Sequence, residues 1–230
     1  MKRHLTPELM DDPDLPASEH RTALVGLARL NRVASAGRSP WMGMADLARA
    51  SNGPLSVLDV ATGSGDVPIE CARRARREGL DLELHGCDLS EFALSQASSR
   101  AREAGLSMTC FQHDMLAAAP SATYDVVTCN LFAHHLDEDG VCTLLRNMAR
   151  VARRRVLLCD LRRDRIGLGL AWVCSRLLTR SRVVHVDAIK SVRAAWTLEE
   201  MRALSARSNL ENASISTCFP RRMMLSWNRS

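Results

Sequence analysis

The chain has 230 residues, 46% of them hydrophobic and 25% charged, with a formal net charge of +5. Those proportions belong to an ordinary globular protein with one sizeable core, and they exclude a collagen-like, low-complexity or disordered chain. The positive charge is mild and concentrated in ten arginines from Arg150 to Arg182; solvated helix faces account for these more simply than a nucleic-acid surface does.

The segment up to Pro16 is polar and proline-punctuated and is expected to be loose. Ser18 is a candidate N-cap for a helix whose Leu24, Leu27, Leu30 and Val33 recur at helical spacing. Gly37 and Pro40 are expected to break it, and a second helix, about Met42 to Ala50, leads to the Asn52-Gly-Pro54 turn. Residues 1–52 thus read as an N-terminal helical extension, placed either as a lid over a ligand mouth or against a sheet edge. Residues 53–230 form the main domain.

Leu55 to Val60 has the aliphatic character of a parallel strand buried on both faces. Strands and helices then alternate: helix Asp66 to Glu78, strand Leu82 to Asp88, helix Ser90 to Ala104, strand Met108 to His113. Strand Tyr124 to Asn130, helix Glu138 to Ala152 and strand Arg155 to Leu161 follow. The alternation argues a parallel sheet with helices on both faces. Helix-forming segments come next at Gly167 to Leu178 and Thr197 to Ser208, the latter opening with the capping box Thr197-x-x-Glu200. Two last β-prone runs, Ala213 to Phe219 and Met223 to Trp227, are separated only by Pro220-Arg-Arg222. A parallel crossover needs a dozen or more residues, so this pair must be antiparallel.

The eight cysteines (71, 87, 110, 129, 142, 159, 174 and 218) include no Cys-x-x-Cys pair; they read as reduced core residues, and no metal site is expected. Met1-Lys-Arg-His-Leu-Thr-Pro-Glu8 lacks the apolar core of a signal peptide, and the longest uncharged apolar stretch, Ile166 to Ser175, is shorter than the roughly 20 residues that cross a bilayer. A cytoplasmic location without a membrane span is therefore expected.

The turn after the first strand carries the most chemistry. Ala61, Gly63 and Gly65 let the backbone bend and approach a ligand closely, and the helix beginning at Asp66 offers unpaired N–H groups. A triphosphate loop needs a Gly-Lys-Ser/Thr ending, and no lysine is near. A dinucleotide turn wants a third glycine where Pro68 stands. What remains is a nucleoside ligand without phosphates, with Asp59 placed to receive an amino group. Asp88 ends the second strand, where a carboxylate can accept ribose hydroxyls. Asp114 follows the third, where a carboxylate suits the amino group of adenine. Each acid alone has a capping role open to it, but three acids ending three successive strands beside a glycine turn are hard to explain as caps.

In order and spacing, Asp59-Val-Ala-Thr-Gly-Ser-Gly65, Asp88, Asp114 and Tyr124-Asp-Val-Val-Thr-Cys-Asn130 resemble the motifs of class I S-adenosylmethionine (SAM)-dependent methyltransferases. The resemblance spans roughly residues 55 to 161. It implies a three-layer α/β sandwich with a Rossmann-like, seven-stranded, mostly parallel sheet and an antiparallel last strand. It also implies SAM as cofactor and S-adenosylhomocysteine (SAH) as product. Asp59, Ala61, Gly63 and Gly65 would surround the methionine moiety, Asp88 and Leu89 the ribose and adenine, and Asp114 and Met115 the adenine edge. Asn130 would lie near the sulfonium. Ala61 departs from the family's usual glycine, which is tolerable if its φ is not positive.

The fourth strand ends Asn130-Leu-Phe-Ala133, without the Asn/Asp-Pro-Pro-Tyr/Phe ending of many base-amino methyltransferases, so a nucleic-acid acceptor is disfavoured. His134 and His135 follow at the expected mouth. Imidazole, titrating near about 6.5, suits a general base for a phenol whose pKa is near about 10; capping of the Asp137-Glu-Asp139 turn is the structural alternative. Asn130-Leu-Phe-Ala-His-His-Leu136 also resembles the small-molecule branch that methylates quinones, phenols and aromatic polyketides. That likeness implies an acceptor-binding insertion at about residues 162–196, with Arg162, His185 and Arg193 lining the pocket. Trp41, Met42, Trp172 and Trp196 are candidates for an aromatic wall, core packing being expected for two or more. The function expected is methyl transfer to oxygen of a small aromatic acceptor, and a homodimer is admitted. Carbon methylation of a quinol, a nucleic-acid acceptor and a non-catalytic SAM-binding partner module are the alternatives.

Overall fold

The computed structural model describes residues 1–12 and 14–229. Its centre is a seven-stranded sheet in the order β3-β2-β1-β4-β5-β7-β6. The strands are β1 (Leu55–Val60), β2 (Leu82–Asp88), β3 (Met108–Gln112), β4 (Tyr124–Asn130), β5 (Ala152–Leu161), β6 (Ser214–Cys218) and β7 (Arg222–Asn228). Neighbours among β1 to β5 run parallel, and β7 lies antiparallel between β5 and β6. The short Phe219-Pro220-Arg221 link therefore acts as the sequence requires. Every residue of β1 is buried, because both of its edges are paired and both of its faces are covered.

The helices are α1 (Ala17–Val33), α2 (Arg38–Arg49), α3 (Asp66–Arg77), α4 (Glu91–Glu103), α5 (Glu138–Val151), α6 (Arg165–Leu178), α7 (Arg182–Ala194) and α8 (Leu198–Arg207). On one face Leu144, Leu145 and Met148 of α5 and Met201 and Leu204 of α8 pack with Val127, Leu158 and Leu225. On the other, Trp41 and Met44 of α2 and Cys71 and Ala75 of α3 pack with Leu55, Val57 and Leu157. These are the three layers expected. Thr197 and Glu200 form the capping box of α8, and all eight cysteines are free thiols. Among the described residues, no helix is long and apolar enough to cross a membrane.

Three local expectations are corrected. α1 begins after Pro16 without a side-chain cap, so Ser18 lies inside the helix rather than at its cap. The second helix starts at Arg38 rather than about Met42, and Pro40 falls in its first turn, where its missing N–H has no helical partner to lose. The N-terminal segment is held down rather than loose. Arg3 donates to the carbonyls of Ala194 at 2.6 Å and Leu136 at 2.7 Å, and stacks 3.5 Å from the centre of the Trp196 ring. Leu9 and Met10 donate their backbone N–H groups to the Asp187 carboxylate on α7 at 2.8 and 3.0 Å.

Strand order reverses between β1 and β4, and crevices at such a reversal are where open α/β sheets bind ligands. α1, α6, α7 and the N-terminal segment surround the carboxyl ends of these strands.

Candidate active site

The turn from β1 into α3 is shaped by its own residues. Gly63 and Gly65 have φ of +52° and +74°. A Cβ at Gly63 would meet nothing within 4 Å, so that backbone is open to a ligand, whereas one at Gly65 would lie 3.1 Å from the Cβ of Ala97 on α4. Gly65 thus lets α4 pack close behind the turn. Arg100 of α4 donates to Ser64 Oγ at 2.8 Å and pairs with Asp66, tying the loop to the same helix. Ala61 has φ +52°, so the condition under which alanine would be tolerated in place of glycine is not met. An L-residue there crowds its Cβ against the backbone, at a cost of roughly 1 kcal/mol.

Asp59 is 2% exposed. Its carboxylate accepts hydrogen bonds from Thr62 Oγ1 at 2.8 Å, Thr128 Oγ1 at 2.7 Å and Asn130 Nδ2 at 2.8 Å. Burial pushes its pKa up to about 6 although the three donors pull the other way. Asp88 accepts from the Gly63 and Ser90 N–H groups at 2.8 and 3.0 Å, which fixes the acid against the turn. Asp114 accepts from the Leu116 N–H at 2.8 Å.

Two cavities meet over this turn. One, of about 580 Å³, is bordered by Asp88, Leu89, Phe92, Asp114 and Met115. The other, of about 400 Å³, is bordered by Asp59, Asn130, His134, Arg162 and Arg222 under an aliphatic wall that includes Leu24 and Leu27. Ala61, Gly63, Leu131 and His135 border both. The structure therefore brings together all the expected cofactor residues except Gly65, which supports the turn from behind. The apolar stripe of α1 faces the cavity, the first of the two placements open to the N-terminal helices, but its leucines were not singled out as lining residues.

His134 follows β4 in a short 3-10 turn and is 4% exposed. Its Nδ1 lies 2.7 Å from Asp160 Oδ1, and its backbone N–H donates to Asp160 Oδ2 at 2.9 Å. Burial opposes the imidazolium, yet the Asp160 carboxylate raises the His134 pKa above its ordinary value. The same pair holds Asp160 below the ordinary carboxylate range in spite of its burial. With Nδ1 turned to Asp160, Nε2 points toward Glu8 Oε1 at 3.8 Å. The ring of His135 is centred 4.2 Å from that of His134. Asp160 and Glu8 were not singled out from sequence. Asp160 near the end of β5 was visible by the logic used for Asp59, Asp88 and Asp114; Glu8 carried no local signal.

Arg162 borders the second cavity and pairs with Asp164 at 2.6 Å. His185 instead lies 2.9 Å from the Thr179 carbonyl through Nε2, and the Arg193 side chain is exposed; neither borders the two cavities. Trp41 and Trp196 are core residues, while Trp172 and Met42 are exposed; none of the four borders these two cavities. Among the described residues, Glu8, His134 and His135 could hold a metal ion, their ligand atoms lying within 4.8 Å of one another. Glu8 is engaged by the Ser191 hydroxyl and His134 by Asp160.

The sheet order, with its antiparallel β7, and the glycine turn after β1 are those of the class I SAM-dependent methyltransferase fold. Residues 57–155 match the model of the methyltransferase-domain family. A demethylmenaquinone methyltransferase from Deinococcus radiodurans is 37% identical over 102 residues, 44% of this chain and 41% of that protein. The match thus spans less than half the length of that curated relative. Magnesium protoporphyrin IX methyltransferase from Synechocystis PCC 6803, solved with SAH, covers 95% of this chain over 90% of its own at 20% identity and a TM-score of 0.56. The plantazolicin methyltransferase BpumL, solved with SAH, covers 95% over 90% at 17% identity and a TM-score of 0.66. At these identities the solved structures speak for the fold.

Proposed function

We propose that the protein is a SAM-dependent methyltransferase acting on oxygen of a small aromatic or phenolic acceptor, in the cytoplasm and with reduced cysteines. The observation that carries this is the junction of the two cavities over Ala61, Gly63, Leu131 and His135, with nucleoside-type acids on one side and the Asp160–His134 pair on the other. The open backbone at Gly63 and the roomy cavity beside Asp88 and Asp114 fit an adenosine group without phosphates.

When bound, SAM supplies an activated methyl carbon for in-line displacement. Asp88 would hold the ribose hydroxyls, Asp114 and Met115 the adenine edge, and Asp59 with the turn backbone the amino-acid end. Asn130, anchored on Asp59, would orient the group nearest the acceptor. His134 Nε2, with His135 beside it, would accept the hydroxyl proton as the oxygen attacks, and Asp160 would stabilise the imidazolium that results. Positioning supplies much of the rate in such a displacement.

Calorimetry with the pure chain tests the reading: SAM or SAH should bind at micromolar concentration, and a phenolic panel should yield methyl ethers by mass spectrometry. Failure to bind either nucleoside overturns it. Cofactor binding with carbon-methylated quinols as the only products would shift it to carbon methylation, which the quinone enzyme among the relatives favours.

A further inference from the structure

Arg222 opens β7 and is 6% exposed. It borders the cavity that holds Asp59 and His134, and its Nε is buried without a hydrogen-bond partner. The neighbouring Arg162 and Arg221 each have a carboxylate in reach, both pairing with Asp164, at 2.6 and 3.2 Å. Arg222 forms no ion pair among the described residues. The thiols of Cys159 and Cys218 feel its charge, but they contact each other, Sγ to Sγ, at 3.9 Å.

A guanidinium taken out of water without an opposing charge is costly, and buried charges in proteins are ordinarily paired. Its planar fork matches the two oxygens of a carboxylate or phosphate. Position then decides which ligand could supply that anion. β7 is the third strand over from β1, across β4 and β5, a distance of about 14 Å at ordinary strand spacing. The cavity beside Asp88 and Asp114 extends the opposite way, over β2 and β3.

We infer that Arg222 anchors an oxyanion, carboxylate or phosphate, carried by the methyl acceptor itself. The inference rests on the methyl-transfer reading of the two cavities and narrows it, from phenols in general to phenolic acids.

Calorimetry on the full chain saturated with SAH provides the test, with para-hydroxybenzoate, para-hydroxyphenyl phosphate and para-cresol as probes. One of the two oxyanions should bind the wild type about tenfold or more tighter than para-cresol, as for a site whose buried polar group goes unpaired with the neutral analogue. Which oxyanion wins identifies the acceptor's acid group. Arg222→Met should erase the preference, Arg222→Lys should keep part of it, and SAH affinity in both should stay within about twofold, which also reports correct folding. No preference in the wild type, or a preference retained in Arg222→Met, overturns the inference. So does a loss of SAH affinity in Arg222→Met with a preserved melting temperature, which would assign the guanidinium to the cofactor's carboxylate. Failure of the wild type to bind SAH falls on the methyl-transfer reading instead.

Discussion

Asp160 grips His134 at two points, its Oδ1 lying 2.7 Å from the ring Nδ1 and its Oδ2 accepting the backbone N–H at 2.9 Å. One buried carboxylate at the end of β5 thereby sets both the position of the turn after β4 and the nitrogen that the imidazole presents to the cavity. Asp160→Asn preserves the shape but weakens control of the tautomer. Methyl transfer should fall by about 10²-fold or more, with SAH affinity unchanged. Histidine ¹⁵N shifts should show the Nδ1–H form of His134 losing population. An unaltered tautomer and rate would remove Asp160 as a positioning residue.

Asp59 predicts a pH dependence with a definite sign. Its folded pKa of about 6 exceeds the unfolded value, so between the two the native state binds more protons than the unfolded chain. The stability this group contributes is full below about pH 4 and is lost as pH rises through about 6. A ligand ammonium beside Asp59 needs the carboxylate, so SAM affinity should change in the opposite sense and weaken as pH falls below about 6. Calorimetric titrations at several pH values check this, and Asp59→Asn should flatten the profile.

Ala61 and Gly65 should respond to a one-carbon change with opposite signs. Ala61→Gly relieves a residue at φ +52°, and a net gain of about 0.5 kcal/mol is expected after the added freedom of the unfolded chain is subtracted. Gly65→Ala places a Cβ at φ +74° and within 3.3 Å of the Ala97 backbone, which cannot retreat as a flexible side chain would. A loss of about 2 kcal/mol or more is expected, with weaker SAH binding. Denaturant melts of both variants decide the matter; a destabilised Ala61→Gly would contradict the strain argument.

Asp187 ties the N-terminal segment to α7 through the Leu9 and Met10 N–H groups. In Asp187→Ala, hydrogen exchange at those two amides should accelerate by about tenfold or more, following the loss of a charge-assisted hydrogen bond to each. Exchange in β1 should not change. If Leu9 and Met10 stay protected, other contacts hold the segment.

Much of the fold was legible before any coordinates. β1, β2 and β4 begin and end where the sequence puts them, because their β-branched and aliphatic runs are bounded by turn residues and by a polar side chain at or beside the carboxyl end. Pro40 misled because proline disrupts a helix only beyond its first turn. For Leu24, Leu27 and Leu30 the sequence left lid and edge packing open, because helical periodicity reports an apolar face, and a cavity satisfies that face as well as a core does.

The sequence by itself determined the side of the candidate site proposed for the nucleoside, since Asp59, Gly63, Asp88 and Asp114 lie at strand ends and turns whose positions follow from local pattern. Only the tertiary structure decided the other side. Glu8, His134, Asp160, Asp187 and Arg222 come from five separate segments, and their meeting depends on how β5 and β7 pair and how α7 and the N-terminal segment fold over the sheet. No local periodicity encodes such long-range contacts, so the pairing of His134 with Asp160, and the burial of Arg222 without an ion pair among the described residues, became visible only in three dimensions.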